Sequence, residues 1–274
     1  PPPPFQAEDG IRDPDHSLVG SEMCIRDRHR RFERATGVRL LSSYGLVEAG
    51  CLATMTPPAG ERRAGSAGIA LPWHRTRVVQ LDESGRFAGD CDIDEAGHLL
   101  VNGPALCQSY VDDGRGDVRW IECGDGLLWL DTGDVARIDV DGFHWIAGPQ
   151  SEVILSNGRY IDPAVIEEPL LAHPMVAMAA AVARPDARSG ELPVVYAVLR
   201  DGGQSDSAAL LDYLAQELDD PDDMPVAVQI VDALPLTSLG RVDRLMLRRR
   251  ETEAAVGAVA DAADVAARDD DGGD

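Results

Sequence analysis

Gly148–Pro174 reads GPQSEVILSNGRYIDPAVIEEPLLAHP, and the character of the chain changes across this stretch. Asn157-Gly158 lies between two short strand-like runs, and this dipeptide is typical of the two-residue turn of a β-hairpin. Asp162-Pro163 then predicts the start of a helix, because Asp is a good N-cap and Pro suits the first helical position. We expect this helix to run to about His173. A hairpin followed by a helix predicts the start of a second domain.

The residues after this helix predict a small unit of mixed helices and strands. Apolar runs favour strands at Val176–Ala183, Val194–Leu199 and Val226–Val231, and the periodicity of Ser207–Leu218 favours a helix. Together with the first hairpin and helix, this pattern predicts a small α+β unit.

The residues before Gly148 predict a segment rich in strands. Asp141-Gly142 is a second strong hairpin signal, dividing the run Val135–Ile146. Further predicted elements are a helix end at Arg30–Thr36, stopped by Gly37, and strands at Val38–Ser42, Arg75–Leu81 and His98–Asn102. The fold class expected for the whole chain is therefore α+β.

The composition excludes several classes of protein. The formal net charge of -23 argues against a nucleic-acid partner, which normally requires a basic face. No stretch approaches the roughly 20 apolar residues of a membrane helix, so we expect no membrane span. The five cysteines show no metal-ligand spacing and are odd in number, which favours a reducing cytoplasm. All 25 basic residues are arginine.

The first 28 residues are set apart from the rest. Gln6–Asp13 and Ser17–Asp27 read as translations of two short-read sequencing adapters, in one frame and in the correct order. We therefore expect residues 1–28 to be disordered and adapter-derived, and the true sequence upstream of this point to be missing.

Four motifs, in this order, resemble the adenylate-forming (AMP-binding) superfamily of acyl-CoA ligases, peptide-synthetase adenylation domains and luciferases. They are Ser43–Glu48 (SYGLVE), Leu130–Asp134 (LDTGD), the hinge-to-lid run Gly148–Glu167, and Pro235–Arg244 (PLTSLGRVDR). Within the superfamily, the amino-acid sequence of the lid most resembles that of bacterial fatty-acyl-CoA ligases. The resemblance implies the β-rich C-terminal part of the large adenylate-forming domain at 29–147, a hinge at 148–152 and a lid at 153–250. The Ala-rich, acidic composition of residues 251–274 suits a helix at their start and predicts a disordered acidic tail at their end.

The resemblance also implies roles for residues of the first two motifs. Asp134 matches the aspartate that accepts both ribose hydroxyls as hydrogen-bond donors. Glu48 matches an acid that helps to hold Mg²⁺ near the phosphates, since this ion prefers oxygen ligands. Tyr44 and Gly45 belong to the loop that packs on adenine. Together with Arg159 of the lid, these four residues are the predicted nucleotide-binding set, for ATP or AMP.

In the hinge and the lid, the resemblance implies three further roles. Arg159 matches a phosphate contact, Gly158 borders the pantetheine tunnel for CoA, and Ser151 is the hinge pivot. A simple tight turn is an equally good interpretation of Asn157 and Gly158.

Four positions depart from the family pattern. Val47 replaces a threonine hydroxyl near the α-phosphate, Pro149 replaces an arginine that reaches the ribose, and Ser151 replaces the usual Asp or Lys of the pivot. Arg241 stands at the catalytic lysine position, and Arg is bulkier, planar and differently aimed.

The resemblance implies an ATP-dependent acyl-CoA ligase that converts a fatty acid, ATP and CoA to acyl-CoA, AMP and pyrophosphate. We expect the chain alone to be inactive, because the family's phosphate loop precedes this region. One alternative is a diverged, adenylation-deficient relative that binds a nucleotide or acyl-CoA. A lesser alternative is a peptide-synthetase adenylation domain.

Overall fold

The structure is a computed structural model that describes residues 32–82, 84–110, 118–200, 202–238 and 240–270, with side chains described as far as Gly257. The expected disorder of residues 1–28 lies outside these ranges. The chain has an α+β fold, in which a β-rich part is followed by a mixed unit of helices and strands.

The described chain begins with a helical turn and a small three-stranded sheet. Residues 32–36 are helical and stop at Gly37, whose φ of +67° suits the left-handed end of a helix. The antiparallel sheet has the order β1-β2-β3, with β1 at Ser43–Tyr44, β2 at Thr54–Met55 and β3 at Ile69–Ala70. The prediction of a strand at Val38–Ser42 is wrong. Val38 is 55% exposed and none of these residues is buried, so that no side of the segment packs on a core as a strand of this sheet would.

A six-stranded antiparallel sheet forms the centre of the β-rich part. Its strands are β4 (Arg75–Leu81), β5 (Phe87–Asp90), β6 (Gly97–Asn102), β7 (Trp120–Glu122), β8 (Leu128–Ile138) and β9 (His144–Pro149). Their order is β5-β4-β6-β8-β7, and β9 pairs with β8 through the predicted turn at Asp141-Gly142. The predictions of β4, β6 and this hairpin are confirmed. The central strand β6 is buried along nearly its whole length, so the middle of the sheet lies in the core of this part.

The second unit contains the hairpin, the helix and the strands expected from the sequence. Its elements are β10 (Ile154–Ser156), β11 (Arg159–Ile161), α1 (Pro163–Ala172), β12 (Val176–Asp186), β13 (Gly190–Leu199), α2 (Ser207–Glu217), β14 (Ala227–Ile230) and α3 (Arg244–Asp270). The sheet order is β11-β10-β13-β12, and β14 runs parallel to β13. The Asp162 side chain caps α1 by accepting a hydrogen bond from the Ala164 N–H at 2.9 Å, as predicted.

Both faces of the lid sheet are buried, which explains the long apolar runs of its two central strands. Alternate residues of a strand point to opposite faces. In β12, Ala179, Ala181 and Ala183 pack in the cluster that includes residues of α1 and α2. Ala180 and Val182 pack in a second cluster with Leu247 of α3. The lid core is therefore closed on both sides by helices.

The end of the lid differs from the prediction, which placed it at Arg250 with an acidic tail beyond. α3 continues to Asp270, and Glu251 is only 1% exposed. The Glu251 carboxylate accepts hydrogen bonds from Tyr196, Gln229 at 2.8 Å and Arg184 at 2.5 Å. Removing a buried charged partner of this kind costs about 3–5 kcal/mol, so the core of the lid includes Glu251, directly after Arg250. Over the described residues, no helix is both long and apolar enough to cross a membrane.

Candidate functional site

Two motifs that are 90 residues apart in the sequence meet at Tyr44 and Asp134. The Tyr44 hydroxyl donates a hydrogen bond to Asp134 Oδ2 at 2.6 Å. Tyr44 ends β1, whereas Asp134 lies within β8, where its N–H donates to Thr132 Oγ1 at 3.1 Å. The tertiary structure thus places the predicted adenine loop beside the predicted ribose carboxylate.

Burial affects both members of this pair. The pKa of Asp134 is raised by burial, although the hydrogen bond from Tyr44 opposes this effect. Burial and the neighbouring Asp134 carboxylate raise the pKa of the Tyr44 hydroxyl far above its usual range. The phenol therefore stays protonated at any ordinary pH and remains a hydrogen-bond donor to the carboxylate.

The loop that carries Tyr44 folds tightly back on itself. A Cβ atom at Gly45 would lie 1.7 Å from the carbonyl oxygen of Cys51, so this position accepts only glycine. A 3₁₀ turn at Val47–Ala49 follows and ends at Gly50, which has a φ of +71°. The loop borders an open depression of about 490 Å³. The side chain of Val47 is 86% exposed and offers only methyl groups where the family has a hydroxyl.

Glu48 is held by a residue that the sequence did not identify. The Tyr110 hydroxyl donates a hydrogen bond to Glu48 Oε1, and the Cys107 N–H donates to the Glu48 carbonyl oxygen at 2.8 Å. Tyr110 follows β6 and is 62 positions from Glu48. The sequence carries no local signal for this contact, because it depends on how the segment after β6 packs against the loop after β1.

The Mg²⁺ contact implied for Glu48 stays a prediction. No group of three or more His, Cys, Asp or Glu residues that could hold a metal is found in the described ranges. Mg²⁺ in nucleotide enzymes is commonly held by one or two carboxylates together with substrate phosphates and water. Glu48 would supply the carboxylate, and the ion would neutralise phosphate charge.

The hinge residues adjoin the site through the backbone. Pro149 lies opposite Asp134 across β8 and β9, and the N–H of Gln150 donates to the Gly133 carbonyl at 2.9 Å. Proline presents no side-chain donor to the ribose, in contrast to the arginine of the family. The Ser151 carbonyl accepts a hydrogen bond from Arg248 at 2.6 Å, which ties the predicted pivot to α3.

The lid hairpin makes a tight turn and faces the β-rich part. Asn157 and Gly158 have φ values of +51° and +78°, as a type I′ turn requires. The Tyr160 hydroxyl lies 2.9 Å from His98 Nε2 of β6, which joins the two parts. A cleft of about 550 Å³ opens beside the hairpin, lined in part by Gly158, Arg159 and Tyr160.

Arg159 faces acidic residues of its own domain. Its guanidinium group lies 3.1 Å from an Asp220 oxygen and 2.6 Å from an Asp223 oxygen. Burial raises the pKa of Asp223, while Arg159 opposes that effect. The phosphate contact implied for Arg159 stays a prediction, and it would require Arg159 to exchange these partners.

Arg241 lies on a surface loop of the lid. The loop is closed by hydrogen bonds from the Thr237 N–H to the Arg241 carbonyl at 2.7 Å and from the Arg241 N–H to Thr237 Oγ1 at 3.2 Å. The Arg241 side chain is exposed and forms no ion pair with any described residue. Its predicted catalytic role stays a prediction.

The two motifs that meet at Tyr44 and Asp134, followed by a mixed unit of helices and strands, agree with the adenylate-forming class of protein. The sequence pattern of the AMP-binding enzyme family matches residues 5–111, and that of the AMP-binding enzyme C-terminal domain matches residues 165–241. The chain belongs to this adenylate-forming superfamily. The first match begins within residues 1–28, the stretch that reads as adapter.

Named relatives support the same assignment. The chain is 36% identical over 219 residues to a marinolic acid–CoA ligase of Pseudoalteromonas sp., covering 80% of this chain and 33% of that protein. It is 30% identical to a long-chain-fatty-acid–CoA ligase of Bacillus subtilis, covering 86% and 40%. ATP-bound MatB from Rhodopseudomonas palustris has a similar structure, with a TM-score of 0.67, 29% identity, and coverage of 82% and 43%. The chain thus spans less than half the length of these relatives.

Proposed function

We propose that this chain provides the ribose carboxylate, the metal-binding loop and the lid of an ATP-dependent acyl-CoA ligase. The reaction joins a carboxylic acid to CoA and releases AMP and pyrophosphate. The observation that carries the proposal is the contact between Tyr44 and Asp134, because it brings the adenine loop and the ribose carboxylate of the two motifs together.

The residues of the chain suit this chemistry. The Asp134 carboxylate can accept two ribose hydroxyls as donors, provided that it exchanges its bond with Tyr44. Glu48 would hold Mg²⁺, which would neutralise phosphate charge. The lid hairpin at Gly158 would border the path of CoA, and movement about Ser151 would gate the two half-reactions.

We propose a fatty acid as the carboxylic acid substrate. The amino-acid sequence of the lid resembles that of bacterial fatty-acyl-CoA ligases, and two relatives at 30% and 32% identity are long-chain-fatty-acid–CoA ligases. Other relatives are named for indoleacetate and sulfoacetate, so acids of a different kind are the alternatives that a substrate screen would compare.

Asp134→Asn tests the nucleotide site directly. We expect this variant to lose most of the affinity of the chain for ATP, because an amide has no negative charge and one of its two polar atoms donates instead of accepting a hydrogen bond. Isothermal titration calorimetry would measure the dissociation constant. Asp212→Asn removes the same charge from the exposed face of α2 and should leave the affinity unchanged. Equal losses in both variants, or none in either, would contradict the proposed site.

The second candidate function is a diverged relative that binds a nucleotide or acyl-CoA without forming the adenylate. Arg241 at the lysine position favours it, together with the exposed methyl groups of Val47 and the missing side-chain donor at Pro149. A relative of this kind that binds a nucleotide would use Asp134 as the ligase does, so that the two functions would differ only in the chemical step.

A further inference from the structure

The segment after β6 clamps the loop that carries Glu48. Apart from the backbone bond from Cys107 to Glu48, Ala105 packs against Gly50, where an added Cβ atom would lie 3.2 Å from the Ala105 Cβ. Leu106 packs with the buried Ala49 in one apolar cluster. These contacts therefore hold the backbone on either side of Glu48 in place independently of the Glu48 side chain.

The Tyr110 phenol then fixes the carboxylate itself. It donates to Oε1, whereas Oε2 of Glu48 forms no hydrogen bond with any described residue. A glutamate side chain on a loop has several rotamers, and restricting it to one of them when a ligand binds costs conformational entropy. A hydrogen bond to one carboxylate oxygen selects the rotamer in advance and leaves the other oxygen free to coordinate a cation.

We propose that Tyr110 is a positioning residue that holds Glu48 for a divalent cation bound together with ATP. The part of this inference that concerns the cation rests on the proposed function. The hold of the phenol on Glu48 does not, because it is a property of the folded chain alone. Partners that orient metal ligands in this way typically contribute about 10- to 100-fold to metal affinity.

The first experiment measures the hold itself in a double-mutant cycle of thermal unfolding. Tyr110→Phe should lower the melting temperature of the wild-type chain more than that of a Glu48→Ala background, where this acceptor is gone. Tyr213→Phe removes a phenol hydroxyl from α2 and should act equally in both backgrounds. If Tyr110→Phe lowers the melting temperature equally in both backgrounds, the inference is overturned.

The second experiment separates positioning from a merely structural role. Calorimetry would measure the dissociation constant for ATP with Mg²⁺ and with a chelator. In the wild-type chain, Mg²⁺ should tighten the binding of ATP. Tyr110→Phe should reduce that enhancement on the order of tenfold and leave the metal-free affinity unchanged, whereas Tyr213→Phe should reduce neither.

The outcomes of the two experiments are distinct. Equal enhancement by Mg²⁺ in wild type and Tyr110→Phe overturns the positioning role, even where the unfolding data show coupling. If the wild-type chain binds no ATP under either condition, the proposed nucleotide function fails. The unfolding cycle then decides alone whether Tyr110 holds Glu48: coupling supports the hold, and its absence refutes it.

Discussion

Arg241 stands where the resemblance places a catalytic lysine, and we predict that this residue decides whether the adenylation step can occur. An interaction with developing charge at the adenylation step is worth several kcal/mol, and the family uses the compact ammonium group of lysine for it. Arginine keeps the charge but presents a planar fork with a different reach. Since all 25 basic residues are arginine, no lysine of this chain can replace it.

Arg241→Lys tests whether this position limits adenylation. In a version extended to the full length of its curated relatives, we expect the substitution to raise ATP–pyrophosphate exchange, because lysine can approach the reacting carboxylate and phosphate. Arg249→Lys, on the exposed face of α3, is the matched control and should have no effect. Exchange already at a high rate with Arg241 would refute the adenylation-deficient alternative, and none even with lysine would count against an active ligase.

At the scale of elements, one buried ion pair joins the first and last helices of the lid. Glu167 of α1 is fully buried, and its Oε1 accepts hydrogen bonds from Arg244 of α3 at 2.5 Å and from the Ala181 N–H at 2.8 Å. Arg244 directly follows the loop that carries Arg241. The pair therefore fixes the end of that loop against the lid core.

The same glutamate should make the stability of the lid depend on pH. Burial raises the pKa of Glu167 from 4.5 to about 7, against the opposing effect of Arg244. The folded chain thus binds more protons than the unfolded chain between these two values. This contribution to stability is fully present below about pH 4.5 and is lost as the pH rises through 7.

Glu167→Gln should flatten this dependence, because an amide does not titrate. We expect the difference in melting temperature between pH 5 and pH 8 to be smaller in this variant than in the wild-type chain. Glu253→Gln, on the exposed face of α3, removes the same charge and should keep the wild-type slope. An unchanged slope in Glu167→Gln would show that the carboxylate ionises normally in the folded state.

At the scale of the whole molecule, the two parts differ in how well their cores are closed. The lid sheet is covered by helices on both faces, with one large cluster and one smaller one. The buried clusters of the β-rich part are smaller, and two of them are joined only by a half-buried side chain that they share, that of Tyr44. The two parts touch at Tyr160 and His98, whose rings meet edge-on at 5.8 Å.

Limited proteolysis should reflect this difference. We expect cleavage first at or before the hinge residues 148–152, followed by loss of the β-rich part, with a resistant fragment that starts near Val153 and extends past Glu251. Mass spectrometry of the fragments would identify both ends. A single resistant core that spans both parts would contradict this expectation, and a fragment that ends at Arg250 would contradict the role of Glu251.

The sequence predicted the local parts of the lid because their signals are local. Asp162-Pro163 starts a helix through a cap and a fixed φ, and Asn157-Gly158 makes a hairpin through two positive φ values. It failed at Val38–Ser42, where strand-like residues lack a buried face, and at Glu251, where a charge that reads as exposed is internal. Burial of a charge depends on partners from other elements, and these leave no local pattern.

The sequence by itself determined the α+β class, the order of the two parts and the motifs that place the chain among adenylate-forming proteins. Only the tertiary structure decided that Tyr44 bonds Asp134, that Tyr110 bonds Glu48 and that Arg159 faces Asp220 and Asp223. These contacts join residues 61 to 90 positions apart. Local propensity acts over one turn or one hairpin, whereas such contacts depend on the order of strands in the sheets.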